Sequence, residues 1–245
     1  MSKFRNRIRD LGRAPAGFGF TALARTQHVR HMLVVAEVPD AAAAAAAAEA
    51  GVDAVILRGS AAALEGVALA NSVLTGVWLD EASGAEVTAA QQAGADFFLF
   101  DDGRALASAL TPTDIGRVLL LGPDQEAERL RSVAAIDLDA VVVTGEVGAI
   151  TVRDQLALRR VASLTGAHLM IAASAVPDAA TLEAWRDAGA PVVLVSGSAA
   201  DIRATVQAAD AVPAPKRREE RATPIIGAPR VSAHDHDDDD DDDDL

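Results

Sequence analysis

Eight short apolar runs recur along the middle of the chain: Met32–Ala36, Ala54–Leu57, Gly76–Leu79, Asp96–Phe100, Val118–Leu121, Ala140–Val143, His168–Ala172 and Val192–Val195. Each is continuous rather than alternating, the pattern of a parallel strand covered on both faces. Stretches of roughly 10–15 residues with helical patterning separate them, as crossovers in a parallel sheet require. The punctuation repeats as well. Asp40, Ser60, Ser83, Asp124, Thr151, Asp178 and Ser198 stand where helices should start. Each can accept a hydrogen bond from an otherwise unpaired first-turn N–H. Gly51, Gly94, Gly166 and Gly189 stand where helices should end, because glycine enters the left-handed region without a Cβ clash.

Spread over residues 32–212, eight units take about 23 residues each. A (β/α)8 barrel typically needs ~250 residues and can fall near ~200. The pattern therefore predicts a compact (β/α)8 TIM barrel with short loops. The competing reading is an open doubly wound sheet, which usually has a glycine-rich turn after its first strand. Here the first strand runs into Glu37-Val38-Pro39-Asp40, and no nicotinamide or flavin motif is present. Residues 1–31 read as a basic arm in which Phe4, Ile8 and Leu11 mark a short amphipathic helix that could cover the barrel's bottom. Residues 213–245 read as a linker followed by a disordered poly-Asp tail.

Composition narrows the chemistry. The chain of 245 residues is half apolar, which excludes a wholly disordered protein. No apolar run approaches the ~20 residues of a membrane span, and the first ten residues do not read as a secretory leader. There is no cysteine, so disulfides and thiolate chemistry are excluded and a cytoplasmic setting is expected. The formal charge of −14 is uneven: residues 1–30 are basic, the body is acidic, and the last twelve residues hold nine aspartates. An acidic body repels phosphate backbones, so no nucleic-acid partner is expected. A homo-oligomer is compatible with the sequence.

In a barrel of this kind the reactive groups sit where strands end and helices begin. Glu37, Arg58, Asp80, Asp101 and Glu146 are delivered there and form the candidate catalytic set. The only lysines are Lys3 and Lys216, so the barrel has no Schiff-base lysine. His28, His31 and His168 precede or open strands, at the opposite end, so no Ser-His-Asp triad can form at the top. Two readings remain. In one, Glu37, Asp80, Asp101 and Glu146 hold Mg²⁺ or another divalent cation, a hard ion suited to oxygen ligands. Arg58 then binds the carboxylate or phosphate of a small anionic substrate, giving a metal-assisted lyase or isomerase. In the other, two carboxylates act as acid and base without a metal. Asp40, Asp124 and Asp178 read as helix caps. The two glycines flanking Glu146, Gly145 and Gly148, mark a sharp turn or a close approach.

The stretch His168–Ala200 resembles the phosphate-binding (β/α)8 barrels of the ribulose-phosphate-binding type, which include indole-glycerol-phosphate synthase and phosphoribosylanthranilate isomerase. It reads Leu169-Met170-Ile171-Ala172-Ala173-Ser174, a helix, then Val192-Val193-Leu194-Val195-Ser196-Gly197-Ser198-Ala199. The resemblance implies a phosphate gripped by backbone N–H groups after strands 7 and 8, at Ser174, Ser196, Gly197 and Ser198. The first half departs from the pattern: Ala175, Val176 and Pro177 stand where the family has glycine. The synthase's catalytic lysine has no counterpart. A second class of function follows from these departures: a barrel without catalysis, serving as a binding or scaffold protein through its charged ends. The acidic tail could then bind cations or a basic partner.

Overall fold

The computed structural model describes residues 2–11, 30–122, 125–148 and 150–215. His28, Asp124 and the poly-Asp segment lie outside the described residues.

Eight parallel strands close into a ring in chain order: β1 (Leu33–Val38), β2 (Ala54–Arg58), β3 (Leu74–Trp78), β4 (Phe97–Asp101), β5 (Gly116–Leu120), β6 (Ala140–Gly145), β7 (His168–Ala173) and β8 (Val192–Ser196). The seam is a full pairing of β1 with β8, with Glu37 opposite Ser196. The chain is thus a (β/α)8 barrel. Helices α2 (Ala41–Ala50), α3 (Gly84–Gln92), α4 (Ala127–Val133), α5 (Val152–Thr165), α6 (Ala179–Asp187) and α7 (Ala199–Asp210) follow β1, β3, β5, β6, β7 and β8. After β2 and β4 the expected helices are replaced by single 3-10 turns, Ala61–Leu64 and Ala107–Leu110. Gly66, with φ +75, redirects the first. Pro112, which has no N–H to donate, follows the second.

Alternation along each strand sorts the core into two layers. Outward residues such as Val34, Val55, Phe98, Val141, Leu169 and Val193 pack under the helices. Inward residues such as Leu33, Val35, Ile56, Phe97, Leu99, Val118, Val142, Met170 and Leu194 fill the barrel. Gly76 faces inward, and a Cβ there would overlap the Phe97 ring, so glycine makes the room that the phenyl occupies.

The amphipathic helix near the chain's start, α1 (Lys3–Arg9), forms the barrel floor. Ser2 caps it by accepting the Arg5 N–H, and its hydroxyl donates to buried Asp139. Phe4 enters the barrel and stacks on Phe97, with ring centroids 4.4 Å apart. Four of the arm's described charges pair with acids at the rim of the floor. Lys3 pairs with Asp96 at 2.7 Å, Arg5 with Asp137 and Asp139 at 2.7 and 2.8 Å, and Arg7 with Asp53 at 3.3 Å. Arg30 bridges Asp53 and Asp210 at 2.9 and 2.7 Å. Several of these pairs are solvent-facing and worth at most ~1 kcal/mol each. Burying Phe4 contributes more, about 2–3 kcal/mol.

Candidate active site at the barrel mouth

The opposite end is open. The strands run further than their apolar cores indicate, so Glu37, Arg58, Asp101 and Ser196 lie within strands rather than in the loops beyond them. Their parity matches the inward residues below them, which directs them to the barrel axis. Trp78 and Thr144 share that parity on β3 and β6. A side chain fixed on a strand end is positioned more rigidly than one on a loop.

Arg58 is the centre of one half of the mouth. Its guanidinium lies 4.5 Å from the centroid of the Trp78 ring, within cation–π range. Nε and one terminal nitrogen both donate to the same Asp80 oxygen, at 3.2 and 2.8 Å. The hydrogen bond from Arg58, aided by the charges of Arg58 and Arg104, holds the Asp80 carboxyl below its ordinary pKa. The Asp80 hydrogen bond and the Asp80 and Glu37 charges in turn raise the Arg58 pKa, against the opposing effect of burial. Arg58 therefore stays charged, half-exposed, and clamped between a ring and a carboxylate. Glu37 is held from the other side, where the Ser196 hydroxyl donates to its Oε2 at 2.8 Å.

The remaining candidates divide. Asp101 accepts the Gly103 N–H at 2.8 Å, which folds the loop after β4 back on its own strand end. Glu146 accepts the Ser174 hydroxyl at 3.2 Å, joining the loops after β6 and β7. Glu37, Arg58 and Asp80 thus share one electrostatic cluster, whereas Glu146 pairs with Ser174. Among the described residues, no three His, Asp or Glu side chains group as a metal-binding set. His31 and His168 lie at the floor, where they border one cleft with Ile8 and Leu11. Burial and the nearby Arg5 charge lower the His168 pKa.

One end of the predicted phosphate grip, Ser198, also serves as a helix cap. At the start of α7 the Ser198 hydroxyl accepts the Asp201 N–H, and Asp201 in turn accepts both the Ser198 N–H, at 2.9 Å, and the Ser198 hydroxyl, at 2.7 Å. These hydrogen bonds hold the Asp201 carboxyl below its ordinary pKa, so it is ionised at neutral pH. An internal carboxylate thereby engages a donor that a bound phosphate would use. Two relevant residues, Trp78 and Asp201, are missing from the sequence-based set. Asp201 left a signal, since Ser198–Asp201 is a capping-box spacing, whereas Trp78 is placed opposite Arg58 only by the register of β2 against β3.

A second concavity lies beside the mouth. A cavity of 430 Å³ opens under the loop after β6, between α5, α6 and the outer face of the sheet. Val143, Ile150, Leu158, Val161, Ile171 and Trp185 give it an apolar lining, with Glu146 and Asp154 also bordering it. Gly145 borders it too, because any Cβ there would overlap Ile171 and press on Trp185.

No protein-family model matches the chain, and no curated protein matches it. Solved structures do. The chain is similar to the crystal structure of phosphoribosyl anthranilate isomerase from Thermus thermophilus, with a TM-score of 0.52 at 16% identity. The match covers 72% of this chain and 97% of that one. At this identity the likeness concerns the fold.

Proposed function

We propose that the protein is an isomerase- or lyase-type (β/α)8 barrel acting on a small carboxylated or phosphorylated molecule at its open mouth. The observation that carries this reading is the Arg58 guanidinium, fixed at a strand end by Asp80 and Trp78 with Glu37 nearby. Arg58 offers the substrate anion a preorganised, permanently charged partner. Glu37 and Asp101, on inward strand ends, supply the proton-transfer pair. One carboxyl group takes a proton from a carbon beside a carbonyl, and the second returns one to the neighbouring atom. An isomerisation of this kind leaves the proton count unchanged.

The test is a thermal-shift screen of wild-type and Arg58→Met protein against small phosphorylated and carboxylated acids, each with and without Mg²⁺ or Mn²⁺. A ligand at 100 times its dissociation constant stabilises by about 2.7 kcal/mol. The proposal expects such a shift in wild type and its loss in Arg58→Met. Equal shifts in both proteins remove Arg58 from the site. A shift seen only with the divalent ion assigns the carboxylates to a metal.

A second reading is favoured by the Asp201 carboxylate on the Ser198 N–H and hydroxyl. A barrel that neutralises its own phosphate donors suits a non-catalytic binding or scaffold role. A flat response across the whole screen supports it.

A further inference from the structure

The mouth is chemically divided. The inward strand ends of β1–β4 carry Glu37, Arg58, Trp78 and Asp101, whereas those of β5–β8 carry no charge. On the uncharged half, Leu120 and Ala172 top the apolar interior and are only partly buried, so they present apolar surface to the opening.

The loop after β4 is firmly tied down on the charged half. Asp101 accepts the Gly103 N–H with its carboxylate at 2.8 Å, and the Arg104 and Ala105 N–H groups with its carbonyl at 3.1 and 2.9 Å. Asp102 pairs with Arg129 at 2.8 Å. The Leu106 N–H donates to the Ala82 carbonyl at 2.8 Å, which fastens this loop to the one that carries Asp80. Arg104 is exposed on the braced loop, and its guanidinium makes no hydrogen bond or ion pair among the described residues. Its charge nonetheless reaches Asp80. Arg58 also has a nitrogen to spare, because Asp80 engages Nε and Nη2 but not Nη1. Two cations thus share this half with three carboxylates, Glu37, Asp80 and Asp101. That surplus repels a dianion about twice as strongly as a monoanion. A planar carboxylate also matches guanidinium nitrogens side by side.

We propose that the mouth takes a small monocarboxylate with an uncharged body, its carboxylate shared by Arg58 and Arg104 and its body resting on Leu120 and Ala172. This rests on the function proposed above and narrows its substrate class, with Arg104 as a further binding residue. Phosphate esters fit less well, and Asp201 already engages the Ser198 donors at the other side of the mouth.

The test is a ligand-observed NMR titration of the full-length protein with pentanoate, butyl phosphate (similar body, dianionic head) and glutarate (a second charge at the far end). The proposal expects saturable binding of pentanoate and severalfold weaker binding of the other two. Arg58→Met and Arg104→Met should each weaken pentanoate roughly tenfold, the loss of a charged hydrogen bond. Far-UV circular dichroism confirms that each variant is folded. The proposal is overturned if pentanoate fails to bind, binds no better than butyl phosphate or glutarate, or binds folded Arg104→Met as it binds wild type. Butyl phosphate binding that is stronger than that of pentanoate and is lost in Arg58→Met removes the carboxylate assignment alone and keeps the reading of the mouth. Binding indifferent to both arginines removes both.

Discussion

At the scale of single residues, the barrel depends on a few close fits. Gly76 is one, since any side chain there meets the Phe97 ring. Gly76→Ala should destabilise the protein by about 1–3 kcal/mol, the usual cost of overpacking. Urea unfolding followed by tryptophan fluorescence measures it, and an unchanged midpoint refutes the fit. The Asp201 carboxylate gives a second prediction, with its sign set by the direction of its shift. Its folded pKa is lowered from 3.8 by Ser198. The stability it contributes is complete above 3.8 and is lost as pH falls through the lower folded value. Asp201→Asn should therefore lose less melting temperature than wild type between about pH 5 and about pH 2. Thermal melts across that range decide it. The sequence made individual residues legible unevenly. Glu37, Arg58 and Asp101 could be placed at strand ends because their strands carry unbroken apolar runs. The stacking of Arg58 on Trp78 could not, because it depends on the register of β2 against β3, which no local pattern encodes.

At the scale of elements, the eight strands were legible because both faces of each are buried, leaving no polar position to break the run. Their ends were less so: Glu37 and Ser196 are polar yet continue their strands, where Ser196 donates to Glu37 across the seam between β1 and β8. The caps at Asp40, Ser60, Ser83, Thr151, Asp178 and Ser198 were readable from residue type and were found in place. The two missing helices were misread, because their alanine-rich stretches suit a helix and outweighed the breaks at Gly66 and Pro112. The floor helix α1 carries its own prediction. Phe4 is fully buried and stacked on Phe97, whereas several of the surrounding ion pairs face solvent. Phe4→Ala should cost about 3–5 kcal/mol, while Lys3→Ala should cost under about 1 kcal/mol. Denaturant midpoints of the two variants, measured side by side, test that ranking, and comparable losses contradict it.

At the scale of the whole molecule, ring closure couples everything. Every strand is paired on both sides, so no strand can leave without breaking two ladders. Unfolding of the described barrel should therefore be cooperative, with far-UV circular dichroism and tryptophan emission giving coincident urea transitions. Separated transitions would mean that part of the ring opens alone. Closure also explains why the site was only partly legible: the strands that carry Glu37 and Ser196 are 159 residues apart in sequence and meet only at the seam. Finally, the floor shows how one small side chain latches two distant parts of the ring together. Ser2 is buried, caps α1 and donates to Asp139. Asp139 leads directly into β6, so the same hydroxyl that starts the plug helix also fastens it to one stave of the ring.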